Sequence, residues 1–146
     1  MKRILNLLVF AVVALFTVVA SAHSREVSQD MYGWWQVQRP LADTPDFYST
    51  GKIYFSDDAI TFEATCSFAR GPELKATASS PLAYAPGYFT ILQSEHAVTR
   101  TGNSNCVADL TAGPIEYYFR SSDQVSGEDH LVIFNRNTGF QMELVR

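Results

Sequence analysis

The stretch Ala59-Ile60-Thr61-Phe62-Glu63-Ala64-Thr65-Cys66 decides the fold. Ile60, Phe62, Ala64 and Cys66 occupy one set of alternate positions, and Thr61, Glu63 and Thr65 the other. Side chains alternate across a β-strand, so this stretch reads as a half-buried antiparallel strand with Cys66 pointing inward. Ser56-Asp57-Asp58 supplies a turn before it, and Arg70-Gly71-Pro72 breaks the chain after it.

Working outward, the same kind of signal recurs about every ten residues. Tyr32–Val37 and Gly51–Phe55 precede it, with Leu41–Ser49 between them read as a loop. Leu74–Ser79 alternates weakly and is read as ending before Pro81; Tyr88–Leu92 follows Pro86-Gly87, with His96–Arg100 read as continuing its pairing. The turn cluster Thr101–Asn105 leads into Cys106–Leu110, and Ile115–Arg120 precedes the polar loop Ser121–Asp129. His130–Phe134 and Phe140–Val145 form a hairpin around Asn135–Gly139. No stretch of a dozen residues carries the spacing of an amphipathic helix. Eight to ten short strands without room for helical crossovers specify an all-β fold, a small antiparallel barrel of about eight strands, with a β-sandwich as the alternative. Closure removes the exposed edges that one small sheet would otherwise present, which favours the barrel.

The 146 residues are not all expected to join that domain. Met1-Lys2-Arg3, an apolar run from Ile4 to Ala20 and the small residues Ala20-Ser21-Ala22 together read as a secretory signal peptide, cut after Ala22 or alternatively after Ala20. The domain is then residues 23–146, and the location periplasmic or secreted. Lys2 and Arg3 leave with the signal, so nine basic residues face fifteen acidic ones, a net charge of −6. That balance argues against binding nucleic acid or an anionic membrane surface, both of which require neutralising positive charge. Beyond residue 22 no second apolar run is long enough to span a membrane. In an oxidising compartment Cys66 and Cys106, the only cysteines, are expected to pair as a structural disulfide.

Gly33-Trp34-Trp35 on the opening strand resembles the G-x-W signature of the calycin superfamily, which includes lipocalins, fatty-acid-binding proteins and avidins. In that pattern the tryptophan closes one end of the barrel and an arginine from the last strand packs across it. Here the resemblance implies those roles for Trp35 and Arg146. An Asp-rich lipocalin-type turn and a biotin-site pattern are both missing.

The aromatic residues are the main candidates for function. Trp34-Trp35, Tyr88-Phe89 and Tyr117-Tyr118 each place one ring on either side of a strand. Trp35, Phe62, Tyr88 and Phe119 are the expected lining of a barrel that holds a small apolar or amphipathic ligand. The alternative is a filled barrel that binds a secreted or envelope protein, for example a hydrolase it inhibits, through Leu41–Ser49 and Ser121–Asp129. A minor reading is copper held by the α-amine and ring of an N-terminal His23 with His96 or His130. The chain is read as a non-enzyme without a cofactor. Glu95-His96 and Asp129-His130 are sequence neighbours, which on a strand point apart, and no nucleophile or phosphate-loop motif is present.

Overall fold

The computed structural model describes residues 30–120 and 127–146. From Tyr32 onward they form one compact unit. Its strands are β1 (Gly33–Val37), β2 (Ala42–Thr44), β3 (Phe47–Phe55), β4 (Ala59–Phe68), β5 (Leu74–Ala85), β6 (Tyr88–Ile91), β7 (Glu95–Thr101), β8 (Ser104–Leu110), β9 (Gly113–Arg120), β10 (His130–Asn135) and β11 (Phe140–Val145). Pairing runs β1-β3-β4-β5-β6-β9-β10-β11 and back to β1, antiparallel at every step. This is a closed up-and-down barrel of eight strands, as the spacing predicts. No helix among the described residues is long and apolar enough to cross a membrane.

The deciding stretch behaves as read. On β4, Ile60, Phe62, Ala64 and Cys66 are all buried. Ile53 of β3 and Ala78 of β5 lie beside Phe62 in register, continuing the inner wall sideways. The turn before β4 is closed by Ser56, whose N–H donates to the Ala59 carbonyl at 2.9 Å and whose Oγ accepts the Ala59 N–H at 3.0 Å.

Three local expectations are corrected. Pro81 does not end a strand, because β5 continues to Ala85. Its neighbours change at that point: β4 pairing ends at Ala59–Pro81 and β6 pairing begins at Leu82–Ile91. The N–H that proline lacks therefore falls at the end of a ladder, where its loss costs least. Leu41–Ser49 is not a loop but the β2–β3 hairpin, with Ala42 opposite Ser49 and Thr44 opposite Phe47. His96–Arg100 does not extend β6, since β7 pairs only with β8 in a separate two-stranded sheet.

Strand directions sort the connections into two ends. The start of β1, the Ser56–Asp58 turn, the Pro86-Gly87 turn, the end of β9, the start of β10 and Arg146 lie at one end, called lower here. The β2–β3 turn, the β4–β5 connection, the β7–β8 hairpin and the 136–139 turn lie at the other. The hairpin is tied to the wall by the Cys66–Cys106 disulfide, with an S–S length of 2.02 Å. Cys66 shares its face of β4 with Phe62 and Ile60, so the hairpin sits against the inner wall at the upper end.

Candidate functional site

Inside the barrel, rings from well-separated strands meet. Phe55 of β3 and Phe89 of β6 lie three places apart around the wall, yet their centroids are 5.5 Å apart. Phe89 also stacks on Tyr117 at 6.2 Å and meets Tyr84 at 6.4 Å. Trp35 of β1 meets Phe119 of β9 edge-on at 6.0 Å, again bridging the bore. An eight-stranded barrel has an interior just wide enough for side chains to fill or for one small ligand, and here large rings face one another across it. Burial pushes the Tyr84 phenol well up, with Tyr32, Tyr117 and Asp57 adding to the shift. Tyr84 stays protonated and donates to the Ser56 carbonyl at 2.8 Å. Burial raises Tyr117 as well, against a lowering hydrogen bond with the Gly87 backbone.

At the lower end the Arg146 guanidinium lies over the Trp35 ring, 4.3 Å from its centroid. It also donates to the Tyr32 carbonyl at 2.9 Å and to Asp129 Oδ2 at 3.2 Å. The backbones of Arg146 and Asp129 exchange two further hydrogen bonds, so the last residue is fixed at both main chain and side chain.

Of the four expected lining residues, the structure brings three to the inner wall. Trp35 and Phe62 are buried there, and Phe119 faces the same way against Trp35. Tyr88 is not among them: it is 42% exposed on the outside, and Phe89 takes the inner position. Either parity is open to the pair Tyr88-Phe89 in sequence; its register against β5 and β9 decides.

The outer wall over β6, β9 and β10 gathers residues that a reading of single strands does not bring together. Tyr88, Glu116 and Phe134 form one row across the three strands, and Tyr118 and Val132 pair in the next. Arg136 Nε binds Glu116 Oε2 at 2.7 Å and its guanidinium approaches the Phe134 ring at 5.8 Å. Arg120 lies 5.8 Å from the centroid of Tyr118, which is 59% exposed, the highest among the large apolar side chains described. A second exposed pair, Trp34 and Tyr54, lies on β1 and β3 with centroids 5.2 Å apart and Lys52 4.5 Å over the indole. Both sets follow from strand pairing, which a single sequence does not state.

His23 lies outside the described residues, as do residues 1–22 and most of Ser121–Asp129. His96 Nδ1 pairs with Asp109 Oδ1 across the β7–β8 hairpin, and His130 Nδ1 with Glu143 Oε1 at 3.3 Å across β10–β11. The two imidazoles thus sit on different sheets, each beside a carboxylate. No group of three or more metal-binding side chains occurs among the described residues. Of the segments expected to bind a protein together, Leu41–Ser49 is at the upper end, whereas Arg120 and Asp129, which flank most of the other, are at the lower. Comparison with protein-family models, with curated proteins and with solved structures finds no match.

Proposed function

We propose that this chain is an exported, non-enzymatic binding protein that takes a protein partner on the outer wall of β6, β9 and β10. The observation that carries the reading is the set of rings meeting across the bore, which take up interior space and so favour recognition on the outside. Tyrosine and arginine dominate the energetics of protein interfaces because they combine large apolar surface with fixed hydrogen-bonding groups. Tyr88, Tyr118, Phe134, Arg120 and Arg136 supply that composition on one wall. A disulfide inside so small a domain accords with an oxidising compartment, and hence with export directed by residues 1–22. A secreted or envelope hydrolase is a partner class suited to such a domain.

The second reading, a calycin-like carrier with its ligand in the barrel, is favoured by the Arg146–Trp35 stack at the lower end. One experiment separates the two. The mature protein is titrated against purified secreted hydrolases and, separately, against fatty acids and retinoids with tryptophan fluorescence as readout. The outer-wall reading expects a one-to-one protein complex that Tyr118→Ala with Arg136→Ala weakens by roughly a hundredfold. Saturable quenching by an apolar ligand, unaffected by those two substitutions, moves the function to the interior.

A further inference from the structure

The β7–β8 hairpin is joined to the barrel in an unusual way. It forms its own two-stranded sheet, outside the ladder that closes the wall. Such a hairpin is marginal in water unless something else holds it. Its inner face, set by the pairs Glu95–Leu110, Ala97–Ala108 and Thr99–Cys106, consists mostly of small side chains. The wall beneath is small at Ala64 and Cys66 on β4 and at Ala76 and Ala78 on β5, with the larger Phe62 and Leu74 to either side, all buried. β7 lies against β5, and β8 against both β4 and β5. Small residues let the two layers approach closely, but they bury little apolar area to hold them there. Thr99 Oγ1 adds one hydrogen bond to the Lys75 carbonyl at 2.6 Å. At the hairpin's base Ser80 Oγ donates to the Gln93 carbonyl at 2.7 Å. The covalent Cys66–Cys106 link is the strongest tie between hairpin and wall.

We propose that the β7–β8 hairpin is a plug locked by this disulfide: closed while the bond is intact, and lifted when both thiols are free, leaving the inner wall of β4 and β5 open to an apolar ligand. The inference does not depend on what the outer wall binds. Opening consumes a dithiol reductant. The Cys66–Cys106 bond breaks, each sulfur leaves as a thiol, and the dithiol is oxidised to its own disulfide. Both sulfurs are buried, with Cys66 2% and Cys106 0% exposed, so the reductant reaches the bond slowly, through local fluctuations of the wall around it, and the hairpin lifts only after the bond has broken. A reduced chain has the plug free; exchange with a disulfide donor, which leaves as its dithiol, forms the Cys66–Cys106 bond and shuts it.

The test compares the oxidised mature protein, the dithiothreitol-reduced protein and the Cys66→Ala/Cys106→Ala variant. Regional amide hydrogen exchange and binding of the neutral apolar dye N-phenyl-1-naphthylamine are the readouts. Freeing or removing the thiols is expected to speed exchange across residues 95–110 by roughly tenfold or more beyond the change in β9, β10 and β11, which follows the global stability alone. The dye is expected to bind those two forms with one-to-one stoichiometry and the oxidised protein not at all. Unchanged protection of 95–110 in the cysteine-free variant overturns the proposal. An equal loss of protection in β9–β11 also overturns it, because the disulfide then holds the whole barrel rather than a plug. Ala108→Leu overfills the seat without touching the cysteines. It is expected to speed exchange of 95–110 only in the reduced protein, and an equal effect in the oxidised protein contradicts the lock.

Discussion

Arg146 and Trp35 form a stack in which the last residue of the chain covers the indole of the first barrel strand, 4.3 Å from the ring centroid. The contact reinforces a short seam: β1 and β11 pair through Gln36–Val145 and Val37–Leu144, and the Gln38 N–H donates to the Glu143 carbonyl at 2.9 Å just beyond. A cation over a partly desolvated indole contributes roughly 0.5–2 kcal/mol. The hydrogen bond to the Tyr32 carbonyl adds to this.

Arg146→Ala is therefore expected to lower stability by about 1–3 kcal/mol. Arg146→Lys is expected to recover only part of that, because a lysine cannot both lie flat on the ring and hold the Tyr32 carbonyl and Asp129. Urea unfolding followed by tryptophan emission measures both variants. A midpoint for Arg146→Ala equal to that of the parent removes the seam's role.

Gly51 is needed for close approach rather than for unusual backbone geometry. A β-carbon there would lie 2.7 Å from Phe62 Cε2 and 3.2 Å from Leu41 Cδ1. Leu41 is exposed and can move, whereas the buried Phe62 ring cannot do so freely. Gly51→Ala is expected to cost about 1–3 kcal/mol through overpacking. Combined with Phe62→Leu, it should cost less than the sum of the two single changes by roughly 0.5 kcal/mol or more. Strict additivity in a double-mutant cycle would show that the ring gives way without strain.

Tyr84 makes the domain sensitive to alkali. Burial first, and neighbouring Tyr32, Tyr117 and Asp57 next, hold its phenol pKa far above the ordinary value of 10.0. The unfolded chain releases this proton near pH 10 while the folded chain keeps it, so the unfolded state binds fewer protons. Its contribution is complete below about pH 10 and declines as pH rises towards the folded value. Thermal midpoints between pH 8 and about pH 12 are expected to fall more steeply for the parent than for Tyr84→Phe. Parallel curves would place the alkaline sensitivity elsewhere.

The Cys66–Cys106 bond closes a loop with a sequence separation of 40, for which chain entropy gives a stabilisation of roughly 4 kcal/mol. Cys66→Ala/Cys106→Ala is expected to lower the urea midpoint accordingly while leaving far-ultraviolet circular dichroism of the native state close to that of the parent. Collapse of that signal in the absence of denaturant would mean that the barrel cannot close without the bond.

Much of the fold was legible because the pattern on β4 is strict. Polar residues alternate with Ile60, Phe62, Ala64 and Cys66, and neither face of such a strand can be exchanged without burying a carboxylate. Glu63 shows the cost avoided: it stays on the outer face between Lys52 at 3.2 Å and Lys75 at 3.8 Å. Trp34-Trp35 and Tyr88-Phe89 lack that asymmetry, since either ring suits a core. The candidate site was less legible for the same reason. Tyr88, Glu116 and Phe134 lie far apart in sequence and become neighbours only through the β6–β9 and β9–β10 pairings.

The residues alone established the class of fold, the strand at its centre and the expected pairing of the two cysteines, and the calycin resemblance implied the ring–guanidinium couple of Trp35 and Arg146. Each rests on local alternation, on a count of two thiols or on a short motif. Tertiary structure decided the rest. It carried β5 through Pro81 because the ladder changes partner there, set Tyr88 outside and Phe89 inside, and folded β7–β8 onto the inner wall instead of into it. The physical reason is common to all three. Backbone pairing is satisfied between strands remote in sequence, and which face of a strand becomes the interior depends on that pairing, not on the strand alone.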